Sequence, residues 1–245
     1  MRILKIIFLT ISSYACTNPK KGEENISATI NRDTLKTNMT DTLQTDILQQ
    51  INTLIKSGFY EKDEVFNSVE EYLYEIPYDK EWTKSKIENI YSARVKEQEN
   101  WQKETDFDKI TQAFDKLNST GIISLHNAGV TRQDGEGDCE EIYEDLKLKG
   151  ITAKGFCYYH WQDIERVVDD GNLFIGFGDF KKNDKDALEI GNQIALTLES
   201  FGLKLEWDKT INTRIKITNL KWQKRLGNEN YSNDRAIKKL NELKN

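Results

Sequence analysis

The hydrophobic period of this chain changes at Gly121, and no other feature constrains its fold as much. Before Gly121 the apolar residues recur at helical spacing. Ile47, Leu48, Ile51, Leu54 and Ile55 stand at offsets 0, 1, 4, 7 and 8, the stripe that one helix face turns to a core. Asp46 can cap that helix, and Gly58 suits a left-handed end. Val65, Phe66, Val69, Tyr72, Leu73 and Ile76 form a second stripe, which Pro77 stops by removing a donor and crowding the preceding turn. Trp82, Ile87, Ile90, Tyr91 and Val95 mark a third helix from Asp79 to about Lys103. Ile110, Ala113, Phe114 and Leu117 mark a fourth.

After Gly121 short strand-like runs alternate with helical ones. Residues 122–126, 155–160 and 172–177 read as strands, and the run Gly155 to His160 carries large residues on both faces, as an inner strand does. Residues 203–207 and 214–217 alternate with period two. Helical patterns fall at 139–149, 162–169 and 184–200. The expected fold class is therefore α+β with an α/β-like order: a helical N-terminal layer at 46–120, then a four- to five-stranded mixed sheet covered by helices at 121–228. Residues 229–245 read as a charged helix or tail.

The first fifteen residues follow a different logic. Arg2 and Lys5 precede a short apolar run, Ile6 to Ile11, and Ala15 precedes Cys16. This is the order of a secretory signal, residues 1–15, and the apolar run is far shorter than the roughly 20 residues that span a bilayer. The Ala15-Cys16 junction resembles a bacterial lipoprotein signal, which implies lipidation of Cys16 and attachment to a membrane of the bacterial cell envelope, periplasmic or surface-facing. Residues 16–45, rich in Thr, Asn and Lys, read as a disordered tether. The chain carries 35 Lys and Arg against 41 Asp and Glu, a formal charge of −6. Such a balance argues against nucleic acid as a partner, because phosphate binding needs clustered excess cations. It also leaves the acyl chains to do the membrane binding.

One block resembles a known family. Tyr159-His160-Trp161-Gln162-Asp163-Ile164-Glu165-Arg166, before the strand Asn172 to Gly178, resembles an uncharacterised bacterial family of domains of unknown function. Its members carry an aromatic-His-x-Gln-Asp-x-Glu-Arg block before a Gly-ending strand. The resemblance extends upstream through His126 to Gly135, with Val130 where an aromatic is usual, and downstream through Arg214 to Arg225. It covers about residues 46–226 and implies one domain with no assigned activity.

The two histidines of the chain, His126 and His160, both stand at expected strand ends. If those strands are parallel neighbours, their ends share one rim, where open sheets place their sites. That rim would gather His126, Asp134, His160, Gln162, Asp163, Glu165 and Arg166. Two function classes fit these residues. One is a non-enzymatic binding module with an envelope protein as partner. The other is a small metal-dependent or acid–base hydrolase using both imidazoles and nearby carboxylates. Asp134, Glu136 and Asp138 alternate as calcium-loop ligands do, although Cys139 takes the place of the turn glycine. No motif here asks for a cofactor, and Cys139 and Cys157, 18 residues apart, can be a pair or two separate thiols.

Overall fold

The computed structural model describes residues 32–227 and 229–244. The signal segment and Cys16 lie outside the described residues. The helical layer comprises α1 (Arg32–Ser57), α2 (Lys62–Tyr72), α3 (Lys80–Gln98) and α4 (Asp106–Asn118). The sheet region follows as β1 (Ile122–Leu125), α5 (Arg132–Leu148), β2 (Gly155–Tyr158), α6 (Trp161–Asp170), β3 (Leu173–Gly178), α7 (Asp184–Ser200), β4 (Leu205–Glu206), β5 (Ile215–Ile217) and α8 (Asn233–Asn241). The fold is α+β, with a five-stranded mixed sheet in the order β1-β2-β3-β5-β4. Only β1 and β2 pair in parallel; the remaining neighbours are antiparallel. Among the described residues no helix is long and apolar enough to cross a membrane.

The change of period at Gly121 becomes a change of layer. Gly121 takes φ of 88°, a left-handed turn that carries α4 into β1. The free side of β1 does not stay open. Asn118, at the end of α4, donates its side-chain amide to the Ser124 carbonyl at 3.1 Å and accepts the Ser124 N–H at 2.9 Å. One side chain thus takes the place of a neighbouring strand there.

Side-chain alternation divides the core in two. Cys157, Tyr159, Leu173, Ile175, Ile215 and Ile217 belong to the larger cluster, together with Ile51 and Ile55 of α1 and Phe107 and Phe114 of α4. Ile123, Leu125, Phe156 and Tyr158 belong to the smaller one, under α5 and α8. The helical layer and the sheet therefore share one continuous core, each fully buried Ile or Leu contributing about 1.5–3 kcal/mol. The segment after β5 straps them together. The Trp222 indole donates to the Ser57 carbonyl at 3.0 Å, and the Lys224 ammonium donates to the Gly58 carbonyl at 2.6 Å.

Two expectations are corrected. The tether of residues 16–45 does not run to Thr45, because α1 begins at Arg32. Leu43, four residues before Ile47, packs on the core and carries the apolar stripe back by one turn. The Gly/Asp-rich stretch 127–138 is not a loop throughout, because α5 begins at Arg132 rather than Cys139. Thr131 and Asp134 form a capping box there: Thr131 N–H donates to Asp134 Oδ2 at 2.9 Å, and Asp134 N–H donates to Thr131 Oγ1 at 3.4 Å. Asp134, Glu136 and Asp138 therefore stand on a helix instead of wrapping an ion as a calcium loop does. Of the two arrangements open to the cysteines the separate one is found: Cys139 and Cys157 are both free and buried, one in each core cluster.

Candidate functional site

The parallel pairing of β1 and β2 puts both histidines at one end of the sheet, yet their side chains part company. The register pairs Leu125 with Tyr158. One step further, His126 is level with Tyr159, and His160 comes one residue later. A single-residue offset on a strand changes the face to which a side chain points. His126 therefore shares the face of Tyr159, in the larger core, and His160 shares that of Tyr158.

His126 lies in a nest of rings. Its centroid is 4.8 Å from Phe114, 5.6 Å from Phe107 and 5.5 Å from Tyr231. Its Nδ1 is 2.7 Å from the Tyr159 hydroxyl, and its Nε2 is buried with no partner. Burial pulls its pKa down to about 3, aided by the charges of Arg235 and Lys224. It is neutral at pH 7.

His160 occupies the position before the first turn of α6 and rests on Asp163, with Nε2 3.1 Å from Oδ2. Asp163 is fully buried and serves as a hub. Arg214 Nη1 donates to both of its oxygens, at 2.9 and 3.0 Å. Arg166 Nη1 donates to Oδ1 at 3.1 Å, and the His160 backbone N–H donates to Oδ2 at 3.3 Å. A buried carboxylate survives only with such partners. The His160 pKa is lowered, first by burial and then by the two guanidinium groups, with Asp163 pulling the other way.

Both guanidinium groups also lie over the Phe174 ring, each 5.0 Å from its centroid. Phe174 projects from β3 on the face opposite to Leu173 and Ile175. On the same face Tyr158 crosses Gly176, where a Cβ would come within 2.7 Å of its ring. Gly135 of α5 approaches Tyr158 as well, at 2.4 Å for a Cβ. The Tyr158 ring thus meets backbone at two glycines, and its hydroxyl reaches the Arg132 carbonyl at 3.1 Å. This explains why two glycines interrupt sequence patterns that otherwise read as helix and strand.

Of the residues expected at one rim, the structure gathers His160, Asp163 and Arg166. Asp134 stays at the α5 cap, its pKa lowered by hydrogen bonds from Thr131 first, with a smaller contribution from His160. Glu165 turns elsewhere: burial raises its pKa, and its hydrogen-bond partner is Trp161. Gln162 is half-buried and donates its backbone N–H to the Val130 carbonyl at 3.4 Å. His126 belongs to the other face. Among the described residues no three His, Cys, Asp or Glu side chains come together as a metal site. Arg214 and Phe174 complete the cluster from outside the expected set. Arg214 lies 51 residues after Asp163, and no local spacing announces a contact across that distance.

The family model of a domain of unknown function, DUF6891, matches residues 40–226. The matched segment contains every residue of the Asp163 cluster and ends before α8. No curated protein and no solved structure matches the chain.

Proposed function

We propose that this chain, which belongs to the DUF6891 family of domains of unknown function, is a lipid-anchored, non-enzymatic binding module of the bacterial cell envelope. Its partner is an envelope protein that presents an acidic segment to Arg166 and Arg214. The observation that carries this reading is the shared anchoring of the two arginines by one buried carboxylate and one aromatic ring. Two guanidinium groups against one carboxylate leave a net positive charge. Nη1 of each arginine is spent on Asp163, and the other guanidinium N–H groups have no hydrogen-bond acceptor among the described residues. Pre-set arginine forks recognise carboxylates in two-pronged geometry at little entropic cost.

Binding is favoured over catalysis because the titratable groups are engaged or covered. Asp163 spends its oxygens on Arg214, Arg166 and His160, and His160 Nδ1, the ring nitrogen without a partner, is buried, whereas a catalytic base needs a free lone pair within reach of substrate. The membrane address rests on Arg2, Lys5, the run Ile6 to Ile11, and Cys16. The test has two arms. Labelled palmitate should enter the wild-type chain and not the Cys16→Ala variant; equal labelling removes the anchor. Cross-linking in envelope preparations should capture one acidic partner with wild type and lose it with Phe174→Ala. Undiminished capture by that variant removes the platform.

A further inference from the structure

We propose that the groove between α4 and the C-terminal segment is a second binding site, and that its ligand is a small zwitterion of free amino-acid type. The groove is open to solvent, spans about 580 Å³ and is remote in sequence from the Asp163 cluster. That volume falls within the range of small-molecule sites. Its lining balances charge: Lys103, Arg225 and Arg235 face Glu104, Asp108 and Glu229. Because Arg225 and Arg235 are paired within the protein, a bare anion or a bare cation would leave one of the two remaining lining charges, Glu104 or Lys103, uncompensated. A molecule carrying one carboxylate and one ammonium group complements both.

The ion pairs within the groove show where each end would go. Arg225 is held by Asp108 at 2.9 Å, and Arg235 by Asp115 at 2.7 Å and Glu229 at 3.1 Å. Lys103 has no side-chain ion partner among the described residues. Glu104 is engaged by the neutral amide of Gln112 at 2.9 Å. Lys103 and Glu104 are thus the adjacent opposite charges left for a ligand, Lys103 for its carboxylate and Glu104 for its ammonium.

The floor supplies an independent sign. Thr111 lines the groove, is 5% exposed, and its Oγ1 is buried without a hydrogen-bond partner. A buried hydroxyl left without a partner is destabilising, and a ligand that pairs it gains by doing so. Phe107, Thr111 and Phe114 share one face of α4, and His126 rests on the two rings with its own Nε2 unpartnered. Tyr231 forms the wall, 5.0 Å from Phe107. Glu229, Tyr231 and Arg235 come after the segment matched by the family model, so the groove is completed by residues outside it.

The test titrates the whole chain by calorimetry with each of the twenty free amino acids, and with acetate and ethylammonium as single-charge probes. At least one amino acid should bind, and both single-charge probes should bind at least about tenfold more weakly. Lys103→Ala and Thr111→Val should each weaken the amino acid about tenfold. Lys103 is exposed, so its variant keeps the test decisive if Thr111→Val loses stability. Phe174→Ala should leave this binding unchanged, which separates it from the arginine platform. Failure of all twenty to bind, acetate binding as tightly as the amino acid, or loss of binding in Phe174→Ala would each overturn the proposal.

Discussion

His126 leaves β1 into a nest of aromatic rings, and His160 leaves β2 onto a carboxylate. The two strands are parallel neighbours, so the two imidazoles begin from equivalent places. What separates them is one residue of register, and with it the face of the sheet. On the larger-core side His126 has a single polar partner, the Tyr159 hydroxyl. On the other side His160 joins a cluster in which Asp163 serves two arginines and an imidazole. The pair teaches that shared location at a strand end does not make a shared site. Side-chain parity decides which groups can cooperate, and here parity keeps the histidines apart.

The comparison breaks most visibly at Asp163. Replacement by Ala removes the acceptor that holds Arg214, Arg166 and His160 together, while Arg214 remains partly buried. Removing one member of a buried ion pair costs about 3–5 kcal/mol. Denaturant unfolding of Asp163→Ala at pH 7 should show a loss of that size. A loss under about 1 kcal/mol would mean that the cluster does not hold this end of the sheet.

The second measurement addresses the other histidine, through pH. Burial holds the His126 pKa down at about 3, against an ordinary 6.5. Between those values the unfolded chain binds a proton that the folded chain refuses. The unfolded state therefore gains as pH falls, and the stability contributed by neutral His126 is full above 6.5 and declines toward 3. The slope is about 1.4 kcal/mol per pH unit. His126→Phe keeps a ring among Phe107, Phe114 and Tyr231 and removes the titration. Relative to wild type, this variant should gain about 2 kcal/mol on going from pH 7 to pH 5. A stability difference that stays constant across that interval would contradict a neutral buried imidazole.

The fold was largely legible from sequence, because its signals are local. The α4 stripe, the Gly121 turn and the alternation in β5 each follow from neighbouring residues. Two local signals were hidden. Gly135 and Gly137 make the start of α5 look like a loop, although the Thr131-x-x-Asp134 box marks a helix start. Gly135 is there because Tyr158 leaves no room for a side chain, a constraint from another strand. The site was half legible. His160, Asp163 and Arg166 stand within one block, but Arg214 and Phe174 reach it only through the order of β3 and β5 in the sheet. That order is set by the whole sheet, in which β3 lies antiparallel to both β2 and β5.

The smallest effect on stability should come from Arg166, and it is the most informative about function. Its side chain is 42% exposed and makes one hydrogen bond to Asp163, at 3.1 Å. Arg214 and His160 would still satisfy that carboxylate after Arg166→Ala. Exposed ion pairs are typically worth about 0–1 kcal/mol, so the variant should unfold within about 1 kcal/mol of wild type. Partner capture by cross-linking should nevertheless fall, because half of the arginine platform is gone. Asp163→Ala loses stability and capture together, and that outcome cannot separate a scaffold from a recognition surface. Arg166→Ala can: an intact fold with intact capture would assign Arg166 to the surface alone, and an intact fold with lost capture would tie the buried Asp163 hub to recognition through the arginine it positions.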